Sequence, residues 1–372
     1  MELPVVDDYR RLFLEEIPLL DVRAPVEFAA GAFPHTENLP LINDAERHEI
    51  GIRYKELGQD AALDLGHELV QGATRAARIT AWQQFAGEHP DGVLYCFRGG
   101  QRSRISQQWL YEATGIAYPR VKGGYKALRR FLIDELERAA TRINAVALGG
   151  RTGVGKTLLL KTLPRVLDLE GLAWHRGSAF GRHATPQPTQ VDFENRLAVV
   201  LMKLQADADT PLVVEDEGRA VGSVHLPVAL HDALKGMPLV VLEASLEERV
   251  ANTHREYITE ALAEYRAIHG EARGFEHWAA YLLDSLERIR RRLGGARHRE
   301  IRNIMESALS AHRDNADTIG HRAWIERLLA EYYDPMYDYQ IARGSSRVIF
   351  TGGRGAVYEL LAGKTTVLSK AG

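Results

Sequence analysis

Short apolar runs that end in glycine or charge recur along the chain, and each predicts a buried strand that hands over to a helix. Leu19-Leu20 runs into Asp21-Val22-Arg23. Val93-Leu94-Tyr95 runs into Cys96-Phe97-Arg98-Gly99-Gly100-Gln101-Arg102-Ser103, after which Ile105, Trp109, Leu110 and Ala113 take helical spacing. Residues 145–148 form a third run, which leads through glycines to a helix expected over 158–167. Pro211-Leu212-Val213-Val214 ends in Glu215-Asp216-Glu217, and Leu239-Val240-Val241-Leu242 passes to Ser245-Leu246-Glu247-Glu248-Arg249. From 247 to 329 the period is helical throughout. The tyrosine-rich stretch 332–339 is expected to end those helices, and 347–353 to form a last strand before a short helix. The pattern predicts an α/β chain with parallel sheets and a helical C-terminal part. The expected boundaries are 1–135, 140–250 for a phosphate-loop core, 251–340 helical and basic, and 341–372 returning to that core. There is no internal repeat and no low-complexity tract.

Composition adds limits. With 45% apolar and 26% charged residues, a chain of 372 has material for more than one ordinary core. One cysteine rules out an internal disulfide and a Cys-only zinc site, and leaves no second thiol to resolve a persulfide or selenide. The opening, Met1-Glu2-Leu3-Pro4 then Asp7-Asp8, has no basic region and no apolar core. No run approaches the roughly 18 apolar residues of a membrane span. A cytoplasmic protein with no membrane partner is expected. A net charge of −3 gives no global attraction to nucleic acid, so any such binding must come from local patches.

Two stretches carry chemistry. Between 96 and 103 a strand should deliver Cys96 to a loop whose backbone N–H groups, with the following helix, cradle an anion. Such a field favours the thiolate, the nucleophilic form, and Arg98 and Arg102 add fixed positive charge. A buried, inert cysteine is the plain alternative, but two arginines and two glycines make poor core. Gly150-Arg151-Thr152-Gly153-Val154-Gly155-Lys156-Thr157 fits G-x-x-x-x-G-K-T between a strand and a helix. Gly150, Gly153 and Gly155 let N–H groups wrap a phosphate, Lys156 reaches further oxygens, and the Thr157 hydroxyl can hold Mg²⁺. Asp216 is the candidate for a metal-linked acid. The loop around His175-Arg176-Gly177-Ser178 and Pro186-Gln187-Pro188 reads either as exposed connection or as substrate contact, with Arg176 and Ser178 its candidates; with Phe193-Glu194-Asn195, it is too rich in Gly, Pro and Gln for a core helix. Between 286 and 302 lie seven arginines, Arg288, Arg290, Arg291, Arg292, Arg297, Arg299 and Arg302, broken at Gly294-Gly295. They form a solvated face or a nucleic-acid contact, with Tyr337 as a base-stacking or junction residue. His48, Lys55 and His67, in an insertion over 42–70, read as surface or core.

Asp21-Val22-Arg23, Glu27-Phe28, Gly31, Asn38-Leu39-Pro40, the Cys96 loop and Val121-Lys122-Gly123-Gly124-Tyr125 resemble the rhodanese domains. That resemblance implies a parallel α/β domain over about 12–132, with Asp21 and Arg23 bracing the fold. Five residues separate Cys96 from Arg102, as in rhodanese-related phosphatases and arsenate reductases, and this wider ring suits a tetrahedral oxyanion. A rhodanese-like domain followed by a phosphate loop, His175 to Gly181, Pro186-Gln187-Pro188 and Tyr333-Asp334-Pro335-Met336-Tyr337, is similar to the tRNA 2-selenouridine synthase family.

The resemblance implies an enzyme that converts wobble 2-thiouridine to 2-selenouridine. Geranyl diphosphate, held at Gly150, Gly153, Gly155, Lys156 and Thr157, would alkylate the sulfur. Selenophosphate, received by Cys96, Arg98 and Arg102, would then replace the geranylthio group. No tightly bound cofactor is implied. The partners are tRNA, contacted by Arg288, Arg291, Arg292, Arg297, Arg299 and Tyr337, and a selenophosphate-producing enzyme as donor. A rhodanese fused to an ATP-dependent kinase, a Cys-dependent phosphatase and a tRNA-binding module without catalysis are the rival readings.

Overall fold

The computed structural model describes residues 2–205, 211–343 and 345–363. The chain divides into two compact units, Met1–Ala139 with Thr189–Lys203, and Ala140–Pro188 with Leu204–Gly372.

The first unit holds a five-stranded parallel sheet of β1 (Val5–Val6), β2 (Leu19–Asp21), β3 (Thr36–Asn38), β4 (Val93–Tyr95) and β5 (Arg120–Val121). The order is β1-β5-β4-β2-β3, and Leu19, Leu20 and Asp21 pair with Val93, Leu94 and Tyr95. The central strands β2 and β4 are buried at every residue, which is why they read as unbroken apolar runs. Leu20, Trp82, Phe85, Leu94 and Leu110 lie in the core between sheet and helices. The insertion over 42–70 is a long helix, Asp44–Leu69, opened by an Asn43/Glu46 capping box. It is broken at Gly58, whose φ of 85° and ψ of −171° no helix accepts.

One expectation fails here. The stretch taken as too rich in Gly, Pro and Gln for a core helix stops at Thr189, whose hydroxyl accepts from the Asp192 N–H at 3.1 Å. A helix then runs Gln190–Gln205 and buries Phe193, Leu197, Ala198 and Leu201. Asn195 is fully buried on it and donates to Ala32 O at 2.7 Å. Phe193-Glu194-Asn195 therefore belong to a packed helix of the first unit, although they lie in the middle of the chain.

The second unit is built on a parallel sheet of β6 (Ala145–Gly149), β7 (Val166–Leu167), β8 (Leu212–Glu215), β11 (Leu239–Leu242) and β12 (Val348–Gly352), in the order β12-β11-β6-β8-β7. A small hairpin, β9 (Ala220–Val221) with β10 (Val224–His225), lies between β8 and β11. The helix after the phosphate loop is Lys156–Leu160 and does not reach 167. Pro164 cannot continue it, and Val166–Leu167 leaves to pair with β8.

Helices Leu246–His254, Ala261–His269, Glu271–Leu293, Gly295–Asn315 and His321–Leu328 follow, around Trp278, Met305 and Trp324. They group with the phosphate-loop sheet in one unit, so no unit boundary falls at 250. The break at Gly294 (φ 88°) is where the glycine pair predicts it. The tyrosine-rich stretch does not end the helices. A widened π turn, Leu329–Tyr333, passes into a helix over Asp334–Arg343. Pro335 falls in that helix's first turn, where its missing N–H costs least. Of the closing 341–372, Gly344 and 364–372 lie outside the described residues.

Candidate functional site

Two glycine-rich loops gather the chemistry, one in each unit. In the first, Cys96 follows β4 directly and is 3% exposed. Its thiol donates to Ser103 Oγ at 3.2 Å, and that hydroxyl donates to Gly100 O at 3.1 Å. The loop turns at Gly99 (φ 63°), and the helix Gln101–Thr114 begins two residues later. The Gly123-Gly124 turn supports it from behind. Tyr125 N–H donates to Cys96 O at 2.8 Å, and Lys126 N–H to Phe97 O at 3.0 Å. A Cβ at Gly124 would stand 2.3 Å from Cys96 O, so only glycine fits there.

Asp21 and Arg23 brace this end of the sheet as a buried pair, with Nη2 to Oδ2 at 2.7 Å. Tyr95 OH donates to the same carboxylate at 2.8 Å, and the Arg23 guanidinium lies 3.9 Å from the Tyr125 ring centroid.

Arg98 and Arg102 differ in situation. Arg102 forks onto Glu27, with Nη1 to Oε2 at 2.5 Å and Nη2 to Oε1 at 3.0 Å. Burial pushes the Glu27 carboxyl up, but the bond and charge of Arg102 outweigh it and hold the group below the usual carboxylate value. Arg102 is thus a charge-balanced, fixed donor rather than a free cation. Arg98 is exposed and has no ion-pair partner among the described residues. His48, Lys55 and His67, with no assigned role from sequence, line a cavity shared with Cys96. Neither that wall nor Glu27 was legible from spacing alone, although Glu27 is the acid of the Glu-Phe pair.

In the second loop, Gly150, Gly153 and Gly155 have φ of 141°, 77° and 90°. A Cβ at Gly150 would meet Leu242 O at 2.5 Å. Arg249 steadies the loop from below. Its Nε donates to Thr152 O at 3.0 Å, and its two Nη atoms fork onto Asp334 at 3.0 and 2.5 Å. Asn252 donates to Gly153 O at 3.0 Å. Lys156 Nζ donates to Gly150 O at 3.1 Å, and Thr157 Oγ1 to Glu170 Oε2 at 3.5 Å. Burial pulls the Lys156 ammonium down, but Tyr337, Glu170, Glu217 and Glu215 outweigh it and hold the group above its ordinary value. Burial, with Asp168 next, pushes Glu215 up to about 8, and burial with Glu215 and Glu217 raises Glu170 far above the carboxylate range.

The metal-linked role expected of Asp216 does not fit its position. Its carboxylate pairs with Lys235 and Arg347, each at 2.9 Å. Glu215 and Glu217, not Asp216, are the acids whose charges act on Lys156 and Glu170. Arg176 and Ser178 are also committed to the fold. Arg176 Nη2 reaches Glu264 at 2.5 Å, and Ser178 Oγ shares a hydrogen bond with Tyr257 OH at 2.7 Å. Together they pin the loop 175–181 to the helices behind it.

The basic helices divide similarly. Arg288 donates to Ala179 O and Ser285 Oγ, and Arg297 faces Glu331 at 3.6 Å. Arg291, Arg292 and Arg299 are exposed and have no ion-pair partner among the described residues. Tyr337 is not a free stacking platform, since its ring lies beside Lys156. Among the described residues no helix is long and apolar enough to cross a membrane.

Residues 143–367 match the profile of a family described as tRNA 2-selenouridine synthase AAA domain. A tRNA 2-selenouridine synthase of Marinobacter nauticus is 52% identical over 363 residues, spanning 98% of this chain and 99% of that protein. One of Bordetella bronchiseptica is 53% identical over 356 residues, spanning 96% and 97%. One of Sulfurovum sp. is 51% identical over 351 residues, spanning 94% and 96%.

Proposed function

The chain belongs to the tRNA 2-selenouridine synthase family and is an enzyme of tRNA wobble modification; we propose that it works in two steps, one at each loop. The first unit is read as a rhodanese-like domain that handles selenium, and the second as a phosphate-loop domain that handles geranyl diphosphate. The observation that carries this division is that each unit holds one loop suited to an anion. One loop opens three glycines and Lys156. The other sets the chain's single thiol in a cavity that Arg98 and Arg102 also line.

In the first step the 2-thio sulfur attacks C1 of the geranyl group. The C–O bond to diphosphate breaks, diphosphate leaves with its electron pair, and the base gives up its N3 proton to leave a neutral S-alkylated ring. Lys156 and the N–H groups of 150–157 bind that departing charge where it develops. In the second step selenium of selenophosphate adds at C2 of the base. The C–S bond breaks, geranylthiolate leaves and takes a proton, and water then cleaves the P–Se bond to release phosphate. A thioether on C2 departs as a thiol, whereas a thiocarbonyl sulfur leaves poorly. Cys96, Arg98 and Arg102 receive the selenophosphate. Exposed Arg291, Arg292 and Arg299 contact the tRNA backbone. A selenophosphate-producing enzyme supplies the donor.

A divalent cation fits beside the diphosphate. Thr157 Oγ1 and Glu170 Oε2 stand 3.5 Å apart, and Glu215 Oε1 is buried with no hydrogen-bond partner among the described residues. These are hard oxygen donors of the kind Mg²⁺ takes. No three His, Cys, Asp or Glu among the described residues are grouped to hold a metal by themselves, so the diphosphate oxygens would complete the shell. Bound there, Mg²⁺ would offset charge on the leaving group.

The test is incubation with 2-thiouridine tRNA, geranyl diphosphate and selenophosphate, with nucleosides read by mass spectrometry and each donor omitted in turn. Lys156→Ala should block geranylation. Cys96→Ala should block selenation and let the geranylated nucleoside accumulate. The reverse pattern would sink the division of labour.

A further inference from the structure

A cavity of about 1070 Å³ opens in front of Cys96, and the broken helix Asp44–Leu69 forms one wall of it. That is far more room than an oxyanion needs. Pockets of roughly 300–1,000 Å³ enclose organic molecules of drug size. Its lining includes Ile50, Val70, Ile105 and Trp109, which share an apolar cluster with Cys96, and Leu63. On the same helix Ile52 and Tyr54 line the opening while 43% and 57% exposed. Cations stand at the rim. Arg98 and Lys55 both border the cavity, and neither has an ion-pair partner among the described residues. One enclosure therefore offers an apolar body and a cationic edge to a ligand that combines an oily chain with anionic neighbours.

We infer that this cavity binds an acyclic isoprenoid chain carried on the sulfur of an S-alkylated 2-thiouridine. The inference rests on the two-step reading above and assigns the chain of its intermediate a place in the first unit. The apolar wall takes the chain out of water, which sets the C–S carbon beside Cys96. The rim cations meet the phosphates of the donor or of the RNA. The helix 44–69 is thereby a specificity element: its side chains select alkyl length, while Cys96 and Arg102 meet the selenophosphate that attacks C2.

The single cysteine gives a direct readout, because alkylation by N-ethylmaleimide reports on Cys96 alone. S-geranyl-2-thiouridine nucleoside should protect the thiol at concentrations where the S-methyl nucleoside does nothing. Affinity should climb about threefold to fourfold per added methylene from S-methyl through S-dimethylallyl to S-geranyl. Leu63→Trp and Ile50→Trp, which narrow the cavity, should weaken geranyl protection tenfold or more, with thermal unfolding followed to verify the fold. Equal protection by methyl and geranyl nucleosides in the unmodified protein would overturn the assignment, whatever the variants do. Geranyl-selective protection without selenation of S-geranyl tRNA would uphold the cavity and defeat the two-step reading instead.

Discussion

The ring of Tyr337 lies over the ammonium of Lys156, with Nζ 5.7 Å from the ring centroid. Two residues 181 positions apart in sequence are thus joined at the phosphate loop. The contact is reinforced by neighbours on the same helix. Asp334 forks with Arg249 beneath the loop, and Asp338 pairs with Arg151 within it at 2.5 Å. The helix Asp334–Arg343 therefore holds the loop through three of its side chains.

Removing the ring should loosen the lysine. A cation–π contact of about 0.5–2 kcal/mol corresponds to roughly a twofold to thirtyfold change. Tyr337→Leu should raise KM for geranyl diphosphate by a factor in that range, while Tyr337→Phe, which keeps the ring, should stay near the parent. Steady-state geranylation kinetics of the two variants check this. Equal losses in both would mean that the hydroxyl, not the ring, matters.

Arg102 owes its orientation to a two-point bond with Glu27, which a lysine cannot reproduce. Arg102→Lys should lower selenation of geranylated tRNA by about tenfold to a hundredfold, consistent with loss of one charge-assisted contact of roughly 1.5–3 kcal/mol. Geranylation should be unchanged, because the proposed division of labour assigns it to the other loop. Single-turnover assays of each half-reaction separate the two.

The arginine-rich helices should show two kinds of residue. Arg291→Ala, Arg292→Ala and Arg299→Ala should each weaken tRNA binding at every sequence and reduce the slope of log affinity against log salt by roughly 0.7–0.9. Arg288→Ala should instead lower the melting temperature, since it frees Ala179 O and Ser285 Oγ. Filter binding across a salt series, paired with thermal unfolding, tells them apart.

A buried histidine pair predicts acid sensitivity of the second unit. Trp324 Nε1–H can only donate, and it donates to His321 Nδ1 at 3.0 Å. His321 Nε2 must then carry the proton and donate to His312 Nδ1 at 3.2 Å. Both rings are neutral in this arrangement. Burial, then His312 and His254, pull His321 down to about 3, with Asp317 opposing them. Burial, with Arg266 and His254, lowers His312 too. In both cases the unfolded chain binds the proton more readily. The stability they contribute is whole above pH 6.5 and falls as pH drops towards 3, by up to about 1.4 kcal/mol per pH unit for each ring. His321→Asn, which keeps an acceptor near the Nδ1 position, should flatten the pH dependence of the melting temperature between 6.5 and 4. An unchanged slope would refute the assignment.

The strands were readable because parallel strands buried on both faces must be apolar throughout, as Val93-Leu94-Tyr95 and Leu239-Val240-Val241-Leu242 are. The phosphate loop was readable because three positions need glycine in the left-handed region. Local pattern does not say which cation meets which anion across the fold. The pairs Arg102–Glu27 and Asp216–Arg347 span 75 and 131 residues. Tyr337 stayed open between base stacking and junction packing for the same reason: tyrosine clusters look alike in sequence whether they face solvent or a buried ammonium. The helix Gln190–Gln205 was missed because its polar members, Asn195 above all, are buried with partners that only the tertiary structure supplies.

That helix carries a further consequence. Residues 189–203 belong to the first unit yet are encoded within the second, so the backbone passes from one to the other at three places. Cutting the gene after residue 139 would strip Ala32 of the partners it has in Asp192 and Asn195, and would leave Arg129 without Glu194. Neither half is a contiguous cassette that could be shuffled, swapped or expressed by itself. The Cys96 loop and the phosphate loop are bound to a single heritable piece by the way the chain is threaded.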